Sequence, residues 1–545
     1  MRSMPRVRRA LHDIENDFNQ GNREELDNLI RAFRGIVAKD ALDPKSFFAI
    51  AGFHGEPFRG EGATDPKWWG GYCNHGNVLF PTWHRAYLLR LENALREIPG
   101  CENVTIPFWD ECFGAPSSTP IPAVLTSPTY ELDGLDTNPL YSYKLQKALE
   151  EKVEGAGGRY SKHKDYETVR YPLSGLVGTE EDKNNTKIHN AQYEDLTKRT
   201  EILNANVANW LEGTVQITPD DPEHPTRQPD TYSVLERFKI CLKAPNYTIF
   251  SNTTSAAQYI IDKGQEDINK HYVVSLESPH NAIHLAVGGF YQAGVYNADP
   301  IIGANGDMGD NETASFDPIF FLHHCFIDYV FWTWQKHHQL TAPGSLTVIE
   351  DYPGTISADG VPGIPPGSVL DMNTNLYPFK KPNSQDWYTS NDLTDINGQL
   401  GYEYGPGSFD IAPHAPLLGS PKTAPLVAIK RVHNISRADF AGSFVIRTFA
   451  KGPNGKRVEI GREPILSRWN IKGCANCQDK LSVQSFVPVD EEELKFLGAK
   501  NATRSDADIQ YEVEVQTHQG IFGPGAPSFG DDRGGRSFNP QVGDL

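Results

Sequence analysis

No stretch of this 545-residue chain holds an unbroken apolar run of the about 18–20 residues that a membrane-crossing helix needs. Positive charge is also short. Fifty-one Lys and Arg against 70 Asp and Glu leave a net charge of −19, which repels nucleic acid and anionic membranes and excludes both as partners. Cysteine is scarce, with seven residues at 73, 101, 112, 241, 325, 474 and 477. That is too few for a disulfide scaffold in a chain this long, and the odd number leaves at least one without a disulfide partner. The N-terminus, MRSMPRVRRALHDIENDF, is basic but lacks the apolar centre of a secretory signal, so a cytoplasmic protein is expected unless a leader has been trimmed. The sequons at Asn103, Asn246, Asn252 and Asn434 then read as chance matches. Internal repeats are absent too.

The length exceeds one ordinary core and suggests two domains. Residues 8–35 space Leu, Ile and Phe by three and four, a helical pattern. KSFFAIAGF (45–53) continues that pattern into His54, with Gly55 placed as a helix C′ residue. A Gly- and Trp-rich loop leads to FPTWHRAYLLRLE (80–92). Residues 113–270 are mixed and carry no assignable chemistry. Ser278-Pro279 and Asp317-Pro318 each suit an N-cap and N1 pair. FFLHHCFIDYVFWTWQ is apolar almost all round, so that helix should be buried. After Tyr402-Glu-Tyr404 come the β-patterned runs PLVAIKRVHNI, GSFVIRTFA and IQYEVEVQTH. These predict a β-sandwich over 406–520, followed by a poorly ordered Gly/Pro-rich tail over 521–545.

Histidine supplies the chemistry. His280 and His284 are i and i+4, so on a helix both imidazoles face one way and can share a metal. His323 and His324 sit inside an apolar helix, where bare ring nitrogens are costly. They lie about 100° apart, so one of the two faces the metal, and helix geometry does not choose between them. His75 and His84 are nine residues apart, which would put them on opposite faces of one straight helix. His75 must therefore come from the loop before it, where Asn74, Gly76 and Pro81 make a turn natural. His54 is the third candidate of that set. Two groups of three neutral imidazoles, with no carboxylate, suit copper first and zinc second.

H-x4-FPTWHR-x2-L-x3-E (75–92) and DPIFFLHHCFID (317–328) resemble the two copper-binding signatures of the type-3 copper family of tyrosinases, catechol oxidases and hemocyanins. LESPHNAIHLAVGG, ANGDMGDNETASFDPIFF and LSRWNIKGCANCQ are most similar to filamentous-fungal tyrosinases. The resemblance implies a mainly α catalytic domain, taken as residues 1–405, whose four-helix bundle holds a dicopper centre. It assigns His54, His75 and His84 to one copper and His280, His284 and His324 to the other, leaving His323 as a buried neighbour that needs its own hydrogen bond. It implies O2 as co-substrate and small phenols as substrates, hydroxylated and then oxidised to o-quinones, in pigment (melanin) formation. Catechol oxidation alone, or oxygen carriage as in hemocyanins, are the alternatives, and a homo-oligomer is compatible with the sequence.

Further roles follow from the same resemblance. Cys73, two residues before His75, is placed to form a thioether to that ring. Asn281 and Glu277 stand where a water that accepts the phenol proton is held; with Ser278 as N-cap, Glu277 would need a folded-back loop to reach Asn281. Leu285 would line the substrate entrance. In the C-terminal domain the position inserted above the coppers aligns with Ile465, an aliphatic residue where the pattern is aromatic. Cys474 and Cys477, a C-x-x-C turn, read as a redox-active or copper-relaying pair.

Overall fold

The computed structural model describes residues 5–55, 71–115, 117–151, 157–213, 233–289, 304–357, 363–410, 425–471, 480–503, 505–517, 520–523 and 539–545. Cys474 and Cys477 lie outside the described residues, as does most of the expected tail. The helical pattern of 8–35 resolves into two helices, Leu11–Asn19 and Glu24–Val37. They part at Gly21, whose φ of +96° suits glycine alone. The second buries Leu26, Leu29, Ile30, Phe33 and Ile36, the stripe its spacing predicts.

The next helix, Phe47–Ala51, is capped by Ser46, whose side chain accepts from the Ala49 amide at 3.0 Å. It stops before the expected end, and Gly55 is not its C′ residue. A Cβ at Gly55 would lie 2.0 Å from the Glu312 carbonyl oxygen, so glycine is required there by the close approach of another segment. Phe80–Arg96 has Pro81 in its first turn, and Ile319–His337 is buried along most of its length, as expected. These two long helices pack against each other. Asp317 Oδ1 accepts from the Ile319 amide at 3.1 Å, capping the second of them. Among the described residues no helix is long and apolar enough to cross a membrane.

A buried ionic network fastens the helices to the N-terminus. The short strand Arg6–Arg8 runs parallel to Tyr402–Tyr404. From it Arg8 Nε donates to Glu92 Oε2 at 2.8 Å, and Arg8 Nη1 to Asp328 Oδ2 at 3.4 Å. Asp328 Oδ1 accepts from Arg85 Nε at 2.6 Å, and Oδ2 accepts from the Tyr402 and Tyr404 hydroxyls at 2.8 and 2.6 Å. Arg8, Arg85 and Glu92 are 0 % exposed, so each charge depends on its partners in place of water.

The C-terminal part is a β domain. Its strands form a four-stranded sheet, ordered Gly520–Phe522, Gln510–Thr517, Phe444–Lys451, Arg457–Ile465, and a three-stranded sheet, ordered Ser482–Asp490, Leu426–Ser436, Gln541–Asp544. Both sheets feed one apolar core through Val432, Ile446, Ile460, Val487 and Val515. Gln541–Asp544 pairs with the strand holding Lys430, so the end of the tail predicted to lack order is a paired strand. The Lys430 ammonium, ion-paired with Asp544 and Asp506, helps to hold it.

Asp328→Ala leaves two guanidinium groups facing a vacancy and is expected to cost about 3–5 kcal/mol. A lowered denaturation midpoint, larger than that of Arg6→Ala on the rim of the same network, checks it.

Candidate metal centre

Each histidine of the two blocks arrives as local sequence dictates. His84 sits on the second turn of its helix and donates Nδ1–H to the Phe80 carbonyl at 2.8 Å, which leaves Nε2 facing inward. His75 comes from the preceding loop, as the nine-residue spacing requires, where Gly76 takes a φ of +69°. His54 follows the end of Phe47–Ala51. One ring nitrogen from each of these three lies within 4.8 Å of the others.

The second group corrects an expectation about its helix. Ser278 and Pro279 are not its N-cap and first residue: the helix spans Glu277–Gly288, with Leu276 already in helical geometry. Glu277 and Asn281 are therefore i and i+4 on one helix and share a face without a folded-back loop. On this helix His280 Nδ1 bonds Asn281 Oδ1 at 3.0 Å, and His284 Nδ1 bonds the Met308 carbonyl at 2.8 Å. His324 brings its Nε2 to 3.2 Å from His280 Nε2 and 3.4 Å from His284 Nε2. His323 belongs to the same four-histidine group. It has the hydrogen bond it was expected to need, from Nδ1 to Glu111 Oε1 at 2.5 Å.

The two groups touch. The His84 and His324 rings stack at 4.4 Å between centroids, and His75 lies 5.6 Å from His280. His54, His280, His284 and His323 are 0 % exposed. Within the two groups, the buried ring nitrogens without a partner are His54 Nδ1 and Nε2, His75 Nε2, His84 Nε2, His323 Nε2 and His324 Nδ1. Each bare polar atom in such a place costs about 1–3 kcal/mol. Cations shared between lone pairs would satisfy most of them together. The donor set is all imidazole nitrogen, which fits copper and, less selectively, zinc.

Burial keeps the imidazoles neutral and ready to ligate. It pushes His84 down to about 3 against the pull of its bond to Phe80, and His284 down to about 4. His54, His75, His280, His323 and His324 are held well below the usual range, first by burial and then by one another.

Glu277 does more than sequence reasoning suggested. It is buried; Oε1 accepts from the Gly76 amide at 2.8 Å, and Oε2 from the Thr253 amide and hydroxyl at 2.9 and 3.1 Å. One carboxylate thus ties the His75 loop to the first turn of the His280 helix. Burial raises its pKa, while the hydrogen bonds from Thr253 and Gly76 oppose the rise.

The β domain reaches this region, but not through Ile465. Ile465 ends its strand with its side chain in the β core, whereas Leu466 packs in the core of the catalytic region. The strand ends at Ile465, so Leu466 is the first residue free to turn towards the catalytic region. Beyond Leu466, Arg468 is buried and brings Nη2 to 3.8 Å from Cys73 Sγ. Its charge also helps to lower the proton affinity of His54 and His75. The Trp469 amide and indole bond Glu312 Oε1 and Asp310 Oδ1 at 2.6 and 3.2 Å. Leu285, expected at the entrance, is 0 % exposed and part of the catalytic core.

Several of these partners escaped sequence reasoning. The Phe80 and Met308 carbonyls carry no side-chain signal. Glu111 did carry one, as the second of two acids, Asp110 and Glu111, that follow the apolar strip Ile106–Trp109.

Comparison with known proteins adds the chemistry. The family model for the common central domain of tyrosinase matches residues 44–337, which contain all seven histidines of the two groups. The chain is 46 % identical over 503 residues to tyrosinase HcTyr2 of Hahella sp. (strain CCB-MM4), covering 89 % of this chain and 88 % of that one. It is 42 % identical over 519 residues to a tyrosinase of Aspergillus oryzae, covering 91 % of each. A solved tyrosinase from Burkholderia thailandensis at low pH superposes with a TM-score of 0.77 at 44 % identity, over 94 % of this chain and 95 % of that one. The likeness is thus as strong outside Aspergillus as within it.

The metal-free chain should lose stability in acid. Folded His284 and His84 resist protons down to about 4 and about 3, whereas unfolded histidine takes them up near 6.5. The unfolded state therefore binds more protons in that window, and stability falls as pH drops through it. Thermal denaturation of the apo chain should show Tm declining from about pH 6.5 downwards. A Tm that stays level to pH 4 would contradict the neutral, buried histidines.

Proposed function

The chain belongs to the tyrosinase family, and from that membership we propose that its paired histidine groups form a copper enzyme acting on phenols with O2. It is a monophenol monooxygenase and o-diphenol oxidase: it hydroxylates monophenols and oxidises o-diphenols to o-quinones. The observation that carries this is the contact between the two groups, with His84 stacked on His324 at 4.4 Å. In this reading His54, His75 and His84 hold one copper, and His280, His284 and His324 hold the other. When bound, the copper pair supplies oxygen binding and two-electron redox chemistry. Four helices, those ending before His54 and carrying His84, His280 with His284, and His324, make up the supporting bundle. The facing sheets of the β domain make a sandwich, with the catalytic part over 1–405 and the cover over 406–520.

The remaining chemistry falls to residues around the site. A phenol must lose its proton to react, and Asn281 and Glu277, one turn apart, can hold a water that receives it. Glu277 keeps room at Oε1 for one further hydrogen bond beyond those from Gly76 and Thr253, and its raised pKa suits a proton acceptor. Burial of the whole pocket excludes competing water. Cys73, in the His75 loop, is read as thioether-linked to that ring, which would stop the ligand from rotating. The β domain, entering by Leu466 and Arg468, acts as a cover that keeps the enzyme latent. Pigment formation is the physiological role that a quinone-producing enzyme best fits.

Copper-loaded protein should bind two coppers per chain and turn over both tyrosine and catechol. Turnover of catechol with none of tyrosine or tyramine would reduce the enzyme to a catechol oxidase. Glu277→Gln should lower monophenol turnover by about 10²-fold or more and affect catechol turnover far less; equal losses on both would remove the proton role. Intact mass should fall by two hydrogens on maturation, and an unshifted mass would exclude the thioether. Cleavage between 405 and 425 should raise activity, and equal activity before and after would make the β domain a plain structural partner.

A further inference from the structure

An apolar cluster joins the β domain to the catalytic part, and both contribute to it. Ile260 and Val273 come from the catalytic side, and Ile429, Phe486 and Leu545 from the β domain. Ile429 and Phe486 sit on the long strands Leu426–Ser436 and Ser482–Asp490, which pair with each other. Leu545 is held differently. It follows the four-residue strand Gln541–Asp544, which lies at the edge of its sheet.

The place that Leu545 fills has no room for more. A Cβ at Gly264 would lie 2.0 Å from Leu545 Cδ2, so a larger residue there would displace the leucine. The strand before it is lightly fastened. It pairs with one neighbour, from Gln541 opposite His433 to Asp544 opposite Lys430. The Asp544 side chain in the ion pair with Lys430 is 80 % exposed, where solvent screens the attraction. A short edge strand of this kind opens locally at small cost.

From Leu545 a path of contacts leads to the histidines. Gly264 directly follows the helix Thr253–Lys263, whose 11 residues span about 16 Å. At the other end of that helix, Thr253 donates its amide and hydroxyl to Glu277 Oε2. Glu277 in turn accepts from the Gly76 amide in the His75 loop.

We propose that Leu545 is the catch of the β domain. Seated against Gly264 it keeps that domain closed over the histidine groups, and withdrawing Gln541–Leu545 opens the seam without a cut between the two parts. The inference rests on the reading above in which the β domain covers the site. It adds a second point of control, apart from the chain between 405 and 425. Loss of the leucine's apolar burial shifts the balance of closed and open forms about 10-fold.

The test compares the copper-loaded full chain with a chain lacking 541–545 and with Leu545→Asp, whose charge is excluded from an apolar seat. A chain cleaved between 405 and 425 sets the uncovered activity. Both variants should oxidise catechol about 10-fold faster than the full chain before any cleavage. Amide hydrogen exchange should quicken in 253–264, in apo and loaded protein alike. Far-UV circular dichroism checks folding; should the deletion fail to fold, Leu545→Asp decides. Level activity in folded Leu545→Asp while the cleaved chain gains, or a gain without faster exchange in 253–264, would overturn the catch and leave the cover intact. A cleaved chain that gains nothing would overturn the cover, and the catch with it.

Discussion

Everything in this molecule depends on keeping bare imidazole nitrogens dry. A buried ring nitrogen facing nothing is among the costlier things a core can contain, and the two histidine groups contain six such atoms. The surrounding structure is arranged to make that tolerable. Carbonyls from Phe80 and Met308 take one N–H each, Asn281 and Glu111 take others, and the lone pairs left over converge. Burial then works in favour of function, because it holds the rings unprotonated at any ordinary pH. Such a cluster gains from a metal what a wet cluster would gain from water.

The β domain is attached to the same elements that carry the histidines. Arg237 bonds Ser278 Oγ at 2.6 Å and Glu463 of the β domain at 2.7 Å, and Ser278 follows Glu277 in the helix of His280. Trp469 grips the segment of Asp310 and Glu312, close to the carbonyl that orients His284. The β domain is therefore coupled to the second histidine group through hydrogen bonds at its edge.

Much of this was legible in the sequence, for particular reasons. Helix periodicity paired His280 with His284, and a nine-residue gap removed His75 from the helix of His84. The apolar surroundings of the tandem pair announced burial. What was not legible were relations set by distant packing. Gly55 looked like a helix stop, because nothing local reveals that the Glu312 carbonyl passes 2.0 Å from where its Cβ would be. Ser-Pro looked like a helix start, but the helix had begun earlier, and that shift moved Glu277 onto the face of Asn281. Ile465 looked like the residue facing the catalytic region, but its side chain lies in the β core, and Leu466, just past the strand end, packs in the core of the catalytic region. Glu111 and His323 are 212 residues apart, and no spacing rule connects them.

The N-terminal strand carries a consequence for how the protein is made. Arg8 is locked between Glu92 and Asp328, and Arg6–Arg8 pairs with Tyr402–Tyr404. The strand Arg6–Arg8 thus finds its pairing partner, Tyr402–Tyr404, only after more than two-thirds of the chain has been synthesised. Until then the helix of His84 and the helix of His324 lack the charged clasp that seals them.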